Sequence, residues 1–372
     1  MLRMVGVDVR SARSVGVVSL TVGEGTRQRT DGLRFGARDS PLTARYALVS
    51  KRFAAFAWGV LVYSLAVIGW GYYLRVSESG DGCGTDWPLC EGSFVPVQAS
   101  FPTWVEYLHR LSSGTVLLLV LGMAIWAVRA LGRDHPVARA AAWSLVFTVT
   151  ESMFGALLVV AGWVAGDFSA GRVLIRPFQV TNTFLLMAAL GLTAWFASRG
   201  VQEWTTSPHQ RGARMLRAGL LLIFLAATGS WAGLAGTAFP VESLSEGLGQ
   251  YLGPEHLLIY LRTVHPIVAA LTAVFIVRVG FEYRRQGASG TERRLALAMM
   301  SLVAAQLVLG SVTILLLHPV SLRLLHLIAA DLLWLNVVFL WSCSREGRGA
   351  RPGRTDSPPR GSVQIQPGAA LP

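Results

Sequence analysis

Residues 107–131 read YLHRLSSGTVLLLVLGMAIWAVRAL, a predominantly apolar run of 25 residues. About 20 such residues suffice for an α-helix to cross a hydrocarbon core of roughly 30 Å. The run is continuously apolar and does not alternate, which is atypical of a strand in a membrane β-barrel. This segment is therefore predicted to be a transmembrane helix.

Seven further runs of similar length and composition occur along the chain of 372 residues, which is 52% hydrophobic and 15% charged. We predict an all-α integral membrane protein with eight transmembrane helices. The predicted spans are Phe53–Leu74, Tyr107–Leu131, Ala141–Trp163, Pro177–Ser198, Met215–Gly233, Ile259–Phe281, Leu295–Leu317 and Leu322–Cys343.

The formal net charge of +12 comes from arginines that are concentrated in alternate connections between the spans. Arg129 and Arg133 follow the second span, Arg284 and Arg285 follow the sixth, and Arg345 follows the last. The positive-inside rule therefore predicts a multi-pass plasma-membrane protein with both termini in the cytoplasm and the first connection outside. Because topology explains the basic charge, nucleic-acid binding is disfavoured.

An internal repeat divides the spans into two halves. Glu151 and Gly155 in the third span recur as Gln306 and Gly310 in the seventh, 155 residues later. The histidine of the second span recurs in the sixth at a nearly identical offset. Because four spans is an even number, the halves should share one orientation, related by an axis along the membrane normal. We predict two tandem four-helix bundles.

The domain boundaries follow from the repeat and from composition. Residues 51–200 form the predicted N-terminal half and residues 201–344 the C-terminal half. Residues 1–50 and 345–372 are polar and rich in Arg, Gly and Pro, so we predict a disordered cytoplasmic leader and tail.

Three of the seven histidines, His109, His265 and His326, lie in the first turns of even-numbered spans, at a similar depth below the outer surface. Ionisable groups in lipid are costly and usually functional. Two histidines on facing helices can clamp a heme iron, and His265 and His326 form such a pair in the second half. In the first half Gln179 stands where the partner of His109 is expected. An amide is a poor heme ligand, so that site is predicted to be open on one face.

Cys83 and Cys90 are the two cysteines of the outer connections. An oxidising compartment favours a disulfide with a structural or redox role, and no second Cys or His pair nearby supports a metal site. Cys343 is predicted to be a free cytoplasmic thiol.

Charged residues near the outer ends of the spans have two interpretations each. Glu106 lies one helical turn before His109, where it could act as a general base or be a surface acid at a helix N-terminus. Arg75, Arg110 and Arg262 could pair with heme propionates or extend to the membrane interface.

Together these segments resemble the heme A synthase family over residues 51–344. The match rests on the following motifs: Gly71-Tyr-Tyr-Leu-Arg75, Gly82-Cys83-Gly-Thr-Asp-Trp-Pro-Leu-Cys90, Glu106-Tyr-Leu-His109-Arg110, Thr150-Glu151-x-x-x-Gly155, Leu261-Arg-Thr-Val-His265-Pro266 and Leu325-His326-Leu-Ile-Ala-Ala-Asp331.

The resemblance implies an oxidoreductase that oxidises the C8 methyl of heme O to a formyl group by successive hydroxylations, making heme A for terminal oxidases. It implies a substrate site in the N-terminal half and a heme b cofactor in the C-terminal half. The implied partners are a heme O synthase and cytochrome oxidase assembly factors, within the lipid membrane, together with a homo-oligomeric form.

The implied roles are heme b ligation by His265 and His326, ligation of the substrate heme by His109, and catalysis by Glu106. The cysteine pair, Cys83 and Cys90, is implied in heme transfer or electron delivery. The family's fourth histidine falls on Gln179 here.

That departure leaves an alternative open: a non-catalytic membrane heme b carrier or electron-transfer protein that kept the second site and lost the first. The retention of Glu106, His109 and the cysteine loop favours the enzyme. A small-molecule transporter has neither a broken helix nor a charge pair at the membrane midplane to support it.

Overall fold

A computed structural model describes residues 41–97, 99–201, 210–253, 256–285 and 288–345. The chain divides into two units after Ala44, and the second unit, from Arg45 onwards, holds the helix bundle. The predicted disorder of residues 1–40 and 346–372 falls outside the described residues. Residues 41–50, predicted to belong to the leader, lie in the first helix, which begins at Pro41.

The regular elements of the described residues are all α-helices, and eight of them are long and apolar enough to cross a membrane, as predicted. The remaining helix, α6, is short and lies in the connection between two spans. The helices are α1 Pro41–Val76, α2 Phe101–Leu131, α3 Pro136–Val160, α4 Ala170–Arg199, α5 Gln210–Ala238, α6 Leu244–Leu252, α7 Leu257–Arg285, α8 Gly290–Leu315 and α9 Val320–Cys343.

The predicted start of the fourth span at Pro177 is wrong by two helical turns. Helix α4 begins at Ala170, where the Ser169 hydroxyl accepts the N–H of Arg172, and Pro177 lies inside the helix. Proline is tolerated within transmembrane helices because neighbouring groups satisfy the freed backbone. The two added turns carry Arg172 and Arg176.

The second helix also begins earlier than predicted, at Phe101 and not at Tyr107. Ser100 is its N-cap, since its hydroxyl accepts the N–H of Thr103 at 3.3 Å, and Pro102 occupies the first turn. Both features are typical of helix starts. The helix therefore extends beyond the apolar run, and Glu106 lies inside it.

The helices pack in two rings. Helix α3 packs between α2 and α4, and α1 completes the first ring through Phe53 on Trp126 of α2 and Trp58 on Ser198 of α4. In the second ring each of α5, α7, α8 and α9 packs against two of the others, so α7 and α9 lie at opposite corners. The relation of the halves by an axis along the membrane normal stays a prediction.

Helices α4, α5 and α9 join the two rings. The Trp334 indole of α9 donates to the Phe184 carbonyl of α4 at 2.6 Å. Two turns further along α4, Gly191 lies so close to Leu335 of α9 that an added Cβ would be 2.7 Å from its Cδ2. A small residue is therefore needed where these two helices cross.

We expect Gly191→Ala to lower the thermal unfolding midpoint of the detergent-solubilised protein. The added methyl must displace Leu335, and overpacking of this kind costs about 1–3 kcal/mol, which outweighs the gain in helix propensity. Gly122→Ala in α2 is the matched control, because no atom lies within 4 Å of its added Cβ. Equal midpoints for the two variants would show that the crossing of α4 and α9 is not tightly packed.

Candidate functional site

Glu106 lies in the second turn of α2 and is only 3% exposed. Its Oε2 accepts the backbone N–H of Cys83 at 2.8 Å. Its Oε1 accepts Nη2 of Arg110 at 2.6 Å and Nε at 3.1 Å, an ion pair across one helical turn. The carboxylate is therefore held in one orientation, and it joins the helix to the preceding loop.

The predicted disulfide between Cys83 and Cys90 is present and closes that loop. Arg110 holds the loop through its carbonyls: Nη1 donates to the carbonyl oxygens of Asp86, at 2.7 Å, and of Leu89. The donors of Arg110 are thus directed to Glu106 and to the loop. Its predicted contact with a propionate stays a prediction.

The disulfide loop also lies directly on the start of α2. A Cβ added to Gly82 would be 2.4 Å from the carbonyl carbon of Pro102, so only glycine fits without moving the backbone. Glycine, disulfide and carboxylate together fix the loop at one end of the bundle, which we call the disulfide end.

Each of the three inward-facing histidines lies against a glycine of a neighbouring helix. A Cβ at these glycines would be 2.7, 3.0 and 3.4 Å from the nearest ring carbon. The pairs are His109 with Gly71, His265 with Gly229, and His326 with Gly310. Sequence reasoning missed the contacts of Gly71 and Gly229, although their separation of 158 residues nearly matches the repeat.

In the second half His265 of α7 and His326 of α9 lie on helices at opposite corners of the ring. Nδ1 of His265 lies 3.1 Å from the Thr228 hydroxyl. Nδ1 of His326 is buried without a hydrogen-bond partner, and the Gln306 amide donates to the His326 carbonyl at 2.9 Å. Two imidazoles on opposite helices, with a ring nitrogen left free, fit the axial positions of a heme.

The first half provides one histidine and no matching partner among the described residues. Nδ1 of His109 is buried and has no hydrogen-bond partner. Oε1 of Gln179 accepts a hydrogen bond from Nη1 of Arg176 at 2.5 Å. The Gln179 side chain does not reach Gly155, because a Cβ added to that glycine would meet no atom within 4 Å. The equivalent Gly310 is covered by His326. The arrangement therefore agrees with a site that is open on one face.

A groove of about 430 Å³ lies between α1 and α2. Its lining is mostly apolar and includes Val67 and Trp70 from α1 and Leu108 and Leu111 from α2, but not His109. Trp70, Leu108 and Leu111 are exposed. The groove therefore belongs to the apolar surface of the bundle.

Arginines collect at the disulfide end where the halves meet. Arg75 was predicted from the sequence to lie near a site, whereas Arg172, Arg176 and Arg323 were not. Arg262, also predicted, is 3% exposed and donates to Gln250 of α6 at 2.6 Å. The signal that could have found the others is their position in the first turns of even-numbered spans.

Metal ligation by protein side chains alone does not explain the histidines. Across the described ranges, no group of three or more His, Cys, Asp and Glu side chains could hold a metal ion. A porphyrin supplies four of the ligands that iron requires, so a pair of histidines is enough for heme. The side chains present are of the type that a heme site uses.

The fold and site define a multi-pass helical membrane protein with buried histidines near one end, closed there by a disulfide loop. The model of the cytochrome oxidase assembly protein family, COX15-CtaA, matches residues 54–338. The chain belongs to this family, that of the heme A synthases. The resemblance seen in the sequence is thereby confirmed.

Individual relatives agree with the family. A Thermus thermophilus protein named protoheme IX farnesyltransferase is 38% identical over 302 residues, which cover 81% of this chain and 50% of that protein. A heme A synthase of Symbiobacterium thermophilum is 29% identical over 67% of this chain and 81% of its own length. A heme A synthase of an Exiguobacterium species is 37% identical over 32% of this chain and 38% of its own length. The chain thus spans about half the length of the Thermus relative.

We expect Glu106→Ala to speed reduction of the Cys83–Cys90 disulfide, because the loop loses the acceptor for Cys83 N–H and Arg110 loses its counter-ion. Leaving a buried donor unpaired costs about 1–3 kcal/mol, so several-fold faster reduction is expected. Thiol alkylation after timed exposure to a mild reductant measures it. Asp86→Ala removes an exposed acid of the same loop, and its disulfide should be reduced at the wild-type rate. Reduction at the wild-type rate in Glu106→Ala would contradict the anchoring role.

Proposed function

We propose that this protein is a heme A synthase that oxidises the C8 methyl of heme O to a formyl group by successive hydroxylations. Membership of the family supports heme A biosynthesis in general. The heme A so formed would serve terminal oxidases. The proposed class is an oxidoreductase acting on a CH or CH2 group.

The histidine pair of the second half is the observation that carries the proposal. His265 and His326 lie on helices at opposite corners of the ring, each against a glycine that lets a flat ring come close. We propose that they bind heme b as axial ligands. When bound, heme b supplies electron transfer at its iron. Thr228 orients the His265 ring, because its hydroxyl contacts Nδ1.

The first half would hold the substrate heme. His109 provides one axial ligand. Glu106 lies one turn towards the disulfide end, on the same face of α2 as His109. Its carboxylate, fixed by Arg110 and by the Cys83 amide, would accept a proton or stabilise positive charge that develops on the substrate.

The position of Gln179 favours a second candidate function, a non-catalytic heme b carrier or electron-transfer protein. Gln179 is engaged by Arg176 and leaves the space over Gly155 open. A single axial ligand at His109 fits an enzyme too, since an open position leaves room for substrate chemistry. Because Glu106 is buried and held by three donor atoms, the first half retains an organised acid, and we favour the enzyme.

The proposed partners follow from the chemistry and from one relative. The Thermus protein is named for farnesyl transfer to protoheme, and half of its length lies outside the match to this chain. Farnesylated protoheme is heme O, so one chain that combines both activities would pass substrate directly. We propose that a heme O synthase and cytochrome oxidase assembly factors contact this protein, and that it forms a homo-oligomer.

We also propose a place in the plasma membrane, with the disulfide end outside and both termini in the cytoplasm. Eight apolar helices support a multi-pass protein. The arginines of the connections between α2 and α3 and between α7 and α8 support the orientation, because cytoplasmic loops carry excess positive charge. Accessibility of Cys83 and Cys90, after reduction, to a membrane-impermeant thiol reagent on intact cells would test it.

Expressed with a heme O synthase in a host that makes no heme A, the protein should produce heme A in extracted hemes. Glu106→Gln should lower heme A by about 10²-fold or more while heme b is retained, because general acid–base catalysis contributes on that order. Glu246→Gln, an exposed acid of α6, is the control. Bound heme b without heme A or hydroxylated heme O in the wild type would reject the enzyme and support the carrier.

Gln179→His should shift the spectrum of the substrate-loaded protein towards low spin. The new imidazole would lie opposite His109, over the open space at Gly155, and complete a six-coordinate iron. Absorption spectroscopy of protein loaded with heme O is the measurement, and Gln179→Asn is the matched control, since it keeps an amide. An unchanged spectrum in the histidine variant would mean that another group already fills the position.

A further inference from the structure

Four arginines converge at the disulfide end, where the two halves join. Arg75 comes from α1, Arg172 and Arg176 from α4, and Arg323 from α9. They lie near enough for their charges to repel: Arg75 acts on Arg323, Arg172 and Arg176. These residues are more than 240 positions apart at the extremes, so only the fold assembles the cluster.

Tyr72 lies between arginines of the two halves. Cζ of Arg75 is 4.7 Å from the centre of the Tyr72 ring, and Nε of Arg323 donates to the Tyr72 hydroxyl at 3.0 Å. Arg75 also reaches α5, where its Nη2 would be 3.5 Å from a Cβ added to Gly233. The two guanidinium groups are thus fixed around one ring.

No acid pairs directly with the cluster. Within the described part of the chain, none of the four arginines forms an ion pair with a carboxylate. Three acids are near enough for their charges to act on it: Asp167 and Glu78 act on Arg172, and Glu151 acts on Arg176. The Glu151 oxygens already accept from Asn182 and Thr183. Arg172, 7% exposed, donates to the carbonyl of Asp167. Buried cations without counter-ions are costly, so an anion from outside the protein would stabilise this arrangement.

Two donors of the cluster have no hydrogen-bond partner among the described residues. They are Nε of Arg176 and Nη2 of Arg323, and both are buried. Orphaned N–H groups of this kind are rare and cost free energy unless a ligand pairs with them. The positive charge also acts on the loop before α9. Burial lowers the pKa of His318 in that loop, and the charges of Arg262 and Arg323 lower it further.

The register of the arginines relates the cluster to both proposed hemes. Arg323 lies three residues before His326, and Arg176 three residues before Gln179. Each is therefore one turn towards the disulfide end on the face that carries the ligand position. Propionates extend from one edge of a heme, and carboxylates are the anions that guanidinium groups pair with best.

We propose that Arg75, Arg176 and Arg323 form one shared anion site, completed by Arg172, that binds a propionate carboxylate from the heme of each half. This proposal rests on heme binding in both halves, part of the proposed function, but it does not depend on turnover.

The first test asks whether an arginine of the first half acts on the heme of the second. In protein that holds heme b alone, Arg75→Gln and Arg323→Gln should both lower its midpoint potential, because an unneutralised propionate stabilises ferric iron. Arg133→Gln, exposed on the connection between α2 and α3, should leave the potential unchanged. A wild-type potential in Arg75→Gln, with the low-spin spectrum intact, would overturn the shared site.

The second test replaces the ligand, first in the wild-type protein, where no variant has to fold. The wild-type apoprotein should bind heme b at least about tenfold more tightly than its dimethyl ester, because the ester cannot form charged hydrogen bonds. Arg176→Gln should lose about tenfold in affinity for heme O and leave the affinity for its dimethyl ester unchanged. Equal wild-type binding of diacid and diester would overturn the proposal. Loss of heme A production with these binding results intact would instead count against the proposed enzyme alone.

Discussion

Hydrocarbon offers no hydrogen bonds, so every buried polar group of this bundle must find its partner inside the protein. Glu106 does so with Arg110 and the Cys83 amide, and Glu151 does so with Asn182 at 2.7 Å. The exceptions among the histidines and arginines of the described spans gather near the disulfide end. They are ring nitrogens of His109 and His326 and guanidinium nitrogens of Arg176, Arg262 and Arg323. In a membrane protein such a concentration of unpaired donors indicates a ligand site.

The sequence predicted the eight spans and the disulfide, because each depends on local composition or on topology. It did not predict the arginine cluster, because the contact of Tyr72 with Arg323 joins residues far apart in the chain. The predicted fourth span began at Pro177, so it also left out the two helical turns that carry Arg172 and Arg176. Helix α6 was missed because its nine residues, two of them glycines, are too few for a clear period.

The repeat explains both the likeness and the difference of the halves. Four positions are predicted to face a heme iron, and the residue one turn before each of them can be compared. It is an arginine in three cases, Arg176, Arg262 and Arg323, and an acid, Glu106, in the fourth. Glycine contacts persist beside His109, His265 and His326 alike, so the space for a flat ring is kept in both halves. The replacement of one arginine by an acid, and of one histidine by Gln179, therefore changes the chemistry of the first half while its architecture is retained.

The acid of the first half cannot be separated from the disulfide loop. Glu106 receives one of its hydrogen bonds from Cys83 itself, and its other oxygen binds the arginine that holds the loop carbonyls. Oε2 accepts a single hydrogen bond and each carboxylate oxygen has two lone pairs, so Glu106 can take up a proton while its contacts with the loop and with Arg110 persist. Closure of the loop by Cys83 and Cys90 helps to hold the Cys83 amide that this carboxylate accepts, and so helps to set the direction in which the carboxylate points.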